Sequence, residues 1–434
     1  MTLYSYYLDC GGRVSTDSRG IKGGEMFFAL KGENFDGNLY AAKALEAGAR
    51  YAVVNADAGF PADDDRYIRV SDPFKELQEL AVWHRQHVLG DKWLPVIGLT
   101  GTNGKTTTKE LINAVLSRKY RVCATQGNFN NDIGVPLTLL SIRPGTQIAV
   151  VEMGANHPDD IAKLVRVCQP DYGLITNVGK AHLLGFGSFE GVKAAKGELY
   201  KWLGGVEGSV IFQNADDADL REMSEGIPCH LFRYGLKYQG AEVLPSTPEA
   251  PFVRIRLDGD VIESNLVGAY NATNILAALA VGEYFGVSRE EAAAAVAAYV
   301  PANNRSQMSR TERNTLIIDA YNANPSSMAA ALENFAAVEA PRKVALLGDM
   351  RELGADSAAE HAAVVRRLAG MDVEAFLVGQ EFRGALDAVG LEGAHWFATS
   401  ANLAEYLFAN PVSGAVVLVK GSRGIEMEKA IPAL

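Results

Sequence analysis

No feature constrains this chain more than the stretch from Val96 to Ile112, VIGLTGTNGKTTTKELI. A short apolar run enters a turn of two glycines, one lysine and threonines, then an amphipathic helical stretch. An apolar run of that length bounded by a glycine turn reads as a buried strand. The strand–turn–helix succession belongs to a parallel sheet covered by helices. It recurs: LPVIGL, QIAVVEM, YGLITNV and GSVIFQN lie between residues 94 and 300, and TLIIDAY, KVALLGDM, AFLVGQ and AVVLVKGSRG follow. The fold class is α/β, and 434 residues suggest two or three domains.

The first 85 residues mix the strand-like GEMFFALKG and ARYAVVNAD with one helix-like stretch between them, GNLYAAKALEAG. DPFKELQELAVWHRQHVLG then reads as a helix leading into the next unit. The alanine-rich helix REEAAAAVAAYV stops near Pro301, which marks a boundary and makes 301–304 the hinge candidate. The expected division is 1–85, 86–300 and 301–434.

Six polar clusters, GTNGKT, EMGAN, TNVGKAH, DAYNANP, LGDM and KGSRG, follow the apolar part of a strand. Open parallel sheets bind ligands outside the carboxyl ends of their strands, so chemistry is expected along that edge. In GTNGKTT, Gly101 and Gly104 permit the tight turn and close approach of backbone N–H groups to anionic oxygens. The helix that follows points its positive end at the same place. Lys105 suits phosphate and the Thr106 hydroxyl suits Mg²⁺. The full Walker pattern is not met, because Leu99 stands where its first glycine belongs. The loop reads as a nucleotide-phosphate cradle without deciding between kinase, ATPase and ligase. No G-x-G-x-x-G follows any strand, so nothing points to a nicotinamide or flavin.

The chain carries 41 Lys plus Arg against 52 Asp plus Glu, a net charge of −11, with no polybasic block. That argues against nucleic acid and anionic membranes as partners and requires any anionic ligand to be held by a focused local site. Cys10, Cys123, Cys168 and Cys229 are far apart and form no CxxC pair, which favours reduced thiols over a disulfide framework or zinc. No apolar run has the length of a membrane helix. The expectation is a soluble cytoplasmic monomer.

Glu152, at the end of AVVEM, is a candidate Mg²⁺ ligand, or else a strand-end residue in an ion pair. His182, at the end of NVGKAH, is a weaker candidate. Ser188 stands at the start of the helical SFEGVKAAKGELYKWL, in which Lys193 and Lys196 are three apart and share a flank. Both lysines are either solvent-facing or one enters the site with a lowered pKa, reacts with CO₂ and supplies carbamate oxygens to Mg²⁺.

Taken together and in order, GTNGKTT, TQGNFNNDIGVPLTL, EMGAN, NVGKAHLLGFGSFEGVKAAKGELY, GAYNATNILAALAV, NNRSQM and DAYNANPSSM resemble the Mur ligase family, ATP-dependent amino-acid or peptide ligases of bacterial cell-wall (peptidoglycan) precursor synthesis. The resemblance covers almost the whole chain. STDSRGIKGGEMFFALKGENFDG, DAYNANPSSM and LGDMRELG resemble the branch that joins D-alanyl-D-alanine to UDP-N-acetylmuramoyl-tripeptide. Asn38 is a departure, since the family commonly has histidine there.

The resemblance implies a small N-terminal α/β domain holding the UDP substrate, a central phosphate-loop ATPase-like domain, and a C-terminal Rossmann-like domain that binds the dipeptide and closes on ATP. Gly101, Thr102, Asn103, Gly104, Lys105, Thr106 and Thr107 would cradle the ATP phosphates. Asn271 and Asn274 resemble adenine contacts, Arg305 a phosphate contact and Asp319 a ribose contact. Thr106, Glu152, His182 and Lys196 would serve two Mg²⁺ ions, with Lys196, which precedes GELY, as the carbamylated residue. Lys105, Lys196 and His182 form the implied catalytic set. Ser18, Arg19, Lys31 and Gly32 fall in the uridine-nucleotide region, Asn128, Asn130 and Asn131 in the central substrate loop, and Asn322 and Asn324 where the dipeptide binds. The implied reaction activates the tripeptide carboxylate as an acyl phosphate, which the dipeptide amine attacks to give the UDP-pentapeptide. The alternatives are a Mur or folylpolyglutamate-type ligase with another acceptor, or a nucleotide switch that does not ligate.

Overall fold

The computed structural model describes residues 2–32, 35–247, 250–302 and 304–434. Three parallel-stranded sheets follow one another along the chain. The first has the order Val14–Ser15, Met26–Phe28, Tyr51–Asn55, Tyr67–Val70, all parallel. An N-terminal helix, Leu3–Asp9, was not foreseen. GNLYAAKALEAG divides into a 3₁₀ turn, Gly37–Tyr40, and a helix, Ala41–Glu46.

The central sheet has six parallel strands in the order His230–Tyr234, Val210–Asn214, Tyr172–Ile175, Val96–Thr100, Ile148–Glu152, Val122–Ala124. Strand order reverses at Val96–Thr100, whose neighbours are the third and fourth strands in sequence. The exit of that strand is therefore a topological switch point, where open parallel sheets leave a crevice. The helix Lys105–Leu116 starts there and packs against the almost wholly apolar helix Asn271–Tyr284. Sequence reading missed the short edge strand Val122–Ala124, the strand His230–Tyr234, and an antiparallel sheet over residues 242–262. Each is short or partly exposed, so its apolar signal is weak.

The third sheet has the order Gln307–Arg310, Thr315–Asp319, Val416–Lys420, Lys343–Gly348, Glu374–Val378, His395–Phe397. Its first strand is antiparallel, which departs from the simple alternation expected. All six polar clusters follow strands as read. The alanine-rich helix ends at Ala298, just before Pro301. Within 301–304, residue 303 lies outside the described residues. Asn304 and Ser306 take left-handed backbone, with φ of 52° and 47°.

Helix Pro73–His87, capped by Asp72, joins the first unit to the second. Its Arg85 is buried (1 % exposed), lies 3.9 Å over the Trp93 ring, and donates to Cys168 O, Gln169 O and Asp171 Oδ2. Asp171 also accepts from Trp93 Nε1 and Val96 N, so one buried pair anchors the strand that leads to the phosphate loop. All four cysteines are free, and no helix among the described residues is long and apolar enough to cross a membrane. Arg85→Ala strands the Asp171 carboxylate and two carbonyls. It should destabilise the protein by about 3–5 kcal/mol, read as a lower urea midpoint by tryptophan fluorescence. An unchanged midpoint would make the pair incidental.

Candidate active site

The glycine turn has the shape its residues require. Gly101 has φ 147°, and a Cβ there would lie 1.9 Å from Thr176 Oγ1; Gly104 has φ 78°, and its Cβ would meet Asn274 Oδ1 at 2.7 Å. The turn is tied to the exit of the neighbouring strand. Thr102 N and Asn103 N donate to Asn177 O and Oδ1, and Thr176 Oγ1 and Asn177 Nδ2 donate to Asn103 O. This bracing leaves the unsatisfied first N–H groups of helix Lys105–Leu116 aimed at the crevice. Lys105 Nζ folds back onto Gly101 O (2.7 Å) and Thr102 O (3.2 Å). Burial pulls its pKa down, Glu152 opposes, and Arg305 adds to the lowering. Thr107 is buried in the same helix.

Glu152 is 1 % exposed. Its Oε1 accepts from Thr106 Oγ1 (3.1 Å) and Asn130 Nδ2 (2.8 Å). Its Oε2 is buried and has no hydrogen-bond partner among the described residues. A buried carboxylate oxygen without a partner is costly, and a hard cation with oxygen ligands suits it. No three His, Cys, Asp or Glu side chains converge among the described residues. Mg²⁺ does not need them, since it keeps waters and substrate phosphates around one or two carboxylates.

The two lysines of helix Phe189–Leu203, which Ser188 caps, part company. Lys193 is held by Asp219 (2.9 Å) and Glu222 (3.0 Å), which raise its pKa. Lys196 is 2 % exposed and has no ion-pair partner among the described residues. Burial, helped by the charge of Lys105, lowers its pKa to about 7. His182 sits nearby with φ 51°, its Nδ1 paired with Glu352. Burial lowers its pKa, Glu352 opposes, and Lys105 and Lys196 lower it further.

Asn274 accepts from Thr108 Oγ1 and donates to Asn271 Oδ1, while Asn271 donates to Val267 O. Asn271 thus holds Asn274 against the turn, and its own amide is committed within the helix start. Arg305 lies 3.5 Å over the Tyr321 ring, and its buried Nε has no hydrogen-bond partner among the described residues. A cavity of about 290 Å³ at this junction is lined by Thr106, Gly127, Asn128, Arg305, Tyr321 and Arg423, among others. Asp319 pairs with the buried Lys420 at 2.5 Å rather than capping the next helix, which Asn324 caps. Asn324 also donates to Asn103 Oδ1 at 2.8 Å, so the DAYNANP cluster touches the glycine turn directly. Asn322 is exposed beside it, its carbonyl accepting from Lys420.

Other candidates lie apart or serve the fold. Asn131 accepts from Gly134 N and Ile133 N and shapes the helix start there. Arg19 pairs with Asp17, and Lys31 faces Asp36 at 3.7 Å; both cations are exposed on the first unit with Ser18 and Gly32. Asn38 is spent internally on Asp36 and Asn55. Sequence reading singled out the motifs DAYNANP, LGDMRELG and KGSRG but not Tyr321, Glu352, Lys420 and Arg423 within them.

Family models match in the order of the three sheets: the Mur ligase family catalytic domain at residues 13–85, the middle domain at 99–282 and the glutamate ligase domain at 304–423. The chain belongs to the Mur ligase family. This Mur ligase is 35% identical to the UDP-N-acetylmuramoyl-tripeptide–D-alanyl-D-alanine ligase of Bacillus subtilis, over 97% of this chain and 92% of that one. The crystal structure of MurF from Acinetobacter baumannii superposes with a TM-score of 0.83 at 32% identity, covering 97% and 92% of the two chains. MurF from Thermotoga maritima, solved in complex with ADP, gives 0.82 at 26% identity, covering 100% and 98%. The chain is an ATP-dependent peptide ligase with the three-domain Mur architecture.

A neutral Lys196 has a thermodynamic signature. At pH 8–9 it is deprotonated when folded and protonated when unfolded, so unfolding takes up a proton and stability rises with pH, by about 1.4 kcal/mol per unit above roughly pH 7. Below that the lysine is charged in both states and the full burial penalty is present. Lys196→Met should therefore be more stable than the parent at about pH 6, its advantage shrinking towards about pH 9. Thermal unfolding in metal-free, CO₂-free buffer checks this; a pH-independent difference contradicts it.

Proposed function

We propose that this Mur ligase joins D-alanyl-D-alanine to UDP-N-acetylmuramoyl-tripeptide with ATP, making the UDP-pentapeptide for peptidoglycan synthesis in the cytoplasm. The observation that carries this reading is the contact of Asn324, in DAYNANP, with Asn103 of the glycine turn, which supports an acceptor site beside ATP. The names borne by the relatives point the same way. The units 1–85, 86–300 and 301–434 would hold the UDP substrate, ATP and the dipeptide in turn. Ser18, Arg19, Lys31 and Gly32 would meet the uridine nucleotide, and Asn128 and Asn130 the peptide.

A carboxylate has no leaving group until its oxygen is phosphorylated. The γ-phosphoryl passes to the tripeptide carboxylate as ADP leaves; the neutral dipeptide amine attacks the acyl carbon and gives up a proton to solvent, and phosphate departs with the electrons of the broken C–O bond. The chain's task is placement and charge compensation. Lys105 would leave its loop carbonyls for the phosphates, and Arg305 would meet them from the third unit. Asp319, fixed by Lys420, and Asn274, held by Asn271, would orient the nucleoside. Glu152 and Thr106 would hold Mg²⁺, which offsets the repulsion between carboxylate and phosphate. His182 and Lys196 would face a second ion. A neutral Lys196 amine adds CO₂ with loss of a proton, and the resulting carbamate would supply oxygens where Glu152 alone is few.

The test is a ligation assay with mass detection of the UDP-pentapeptide. Product is expected with D-alanyl-D-alanine and not with single amino acids; phosphate release without product would favour a nucleotide switch. Lys196→Ala should reduce ligation at ambient CO₂ by about 10²-fold or more, for loss of a metal-ligating oxygen. Unchanged ligation would exclude the carbamate.

A further inference from the structure

The LGDMREL cluster supplies none of the proposed nucleotide, metal or substrate contacts, yet it is built to present one side chain. Asp349 accepts from Glu381 N and Phe382 N, Met350 N donates to His361 Nε2, and Arg351 N donates to Ser422 Oγ. Arg351 also donates to Gly424 O. Asp349, Met350 and Arg351 are thereby tied to the helices and the final loop of the third unit. Glu352 then takes left-handed backbone, φ 65°, and reaches out of its unit. Its carbonyl accepts from Leu184 N at 3.3 Å and its carboxylate pairs with His182 Nδ1. The side chain is 56% exposed and pairs with no other cation among the described residues, so it does not serve its own unit's core.

The consequence lies at the other face of the ring. With Nδ1–H donated to a carboxylate, imidazole keeps its proton there and leaves the Nε2 lone pair free. Nε2 has no hydrogen-bond partner among the described residues. A carboxylate behind a histidine in this way orients the ring and raises its basicity towards a metal. Here the carboxylate comes from a different unit than the ring.

We propose that Glu352 is a positioning residue that sets the tautomer and aim of His182 from across the interface, so that the second cation site is complete only when the third unit has closed. This rests on the proposed role of His182 as a cation ligand. It gives LGDMREL a function and makes closure a condition for metal binding as well as for bringing the dipeptide to ATP. Lys180–Glu360 (2.9 Å) spans the same interface without touching the ring and serves as the control.

The probe is Mn²⁺, with its free concentration followed by electron paramagnetic resonance, added to the whole protein with a non-hydrolysable ATP analogue. Glu352→Ala should weaken one Mn²⁺ site by about 10- to 100-fold. Glu352→Gln, which can still accept from Nδ1–H, should recover part of that, and Glu360→Ala, which removes an interface contact without touching the ring, should weaken the site clearly less than Glu352→Ala. His182→Ala separates the layers. If it weakens the site and Glu352→Ala does not, the positioning role is wrong while the ligand reading stands. If neither variant has an effect, both are wrong. Equal weakening by Glu352→Ala and Glu360→Ala would mean a generic closure contact, and would overturn the role assigned to the carboxylate.

Discussion

Three basic side chains outnumber one carboxylate near the exit of one strand, and the rest of the site depends on how that imbalance is held. Lys105, Lys196 and Arg305 are close enough that Lys105 lowers the pKa of Lys196 and Arg305 lowers that of Lys105. Among these charges stands Glu152, with one oxygen committed and the other without a hydrogen-bond partner among the described residues. A protein shaped for stability alone would neutralise such a cluster, as Lys193 is neutralised one turn away. Leaving it unpaired stores electrostatic potential in the crevice, where an anionic ligand would meet preorganised charge.

The scaffold bears that cost through local rigidity. The phosphate turn is braced by Thr176 and Asn177, the strand beneath it by Arg85 and Asp171, and the helix start beside it by Asn271 and Asn274. The third unit contributes Asn324, Arg305 and Glu352 to the same crevice. If the third unit moves, as we propose, a site shared in this way would be completed by that movement, which would tie the arrival of one substrate to the readiness of the others.

Much of this could be read from the chain. The buried strands of the sheet centres announced themselves as unbroken apolar runs, and the polar clusters after them marked the ligand edge. Edge elements such as Val122–Ala124 and Gln307–Arg310 are short or partly exposed, and no periodicity separates them from loop. The choice between Lys193 and Lys196 could not be made from the residues of the helix alone, because three positions apart they share a flank. Packing decides it: Asp219 and Glu222 reach one lysine, and apolar surroundings close over the other. Lys420 and Glu352 escaped notice because their partners, Asp319 and His182, lie about 100 and 170 residues away. No local pattern encodes such a pairing.

The most direct test is a crystal structure with magnesium and a non-hydrolysable ATP analogue. The expected result has the phosphates on the N–H groups at the start of helix Lys105–Leu116, the Lys105 amine turned from Gly101 O and Thr102 O towards them, and a cation on Glu152 Oε2. A triphosphate bound elsewhere, with Lys105 still folded onto its own loop and Glu152 unliganded, would contradict the account at its root.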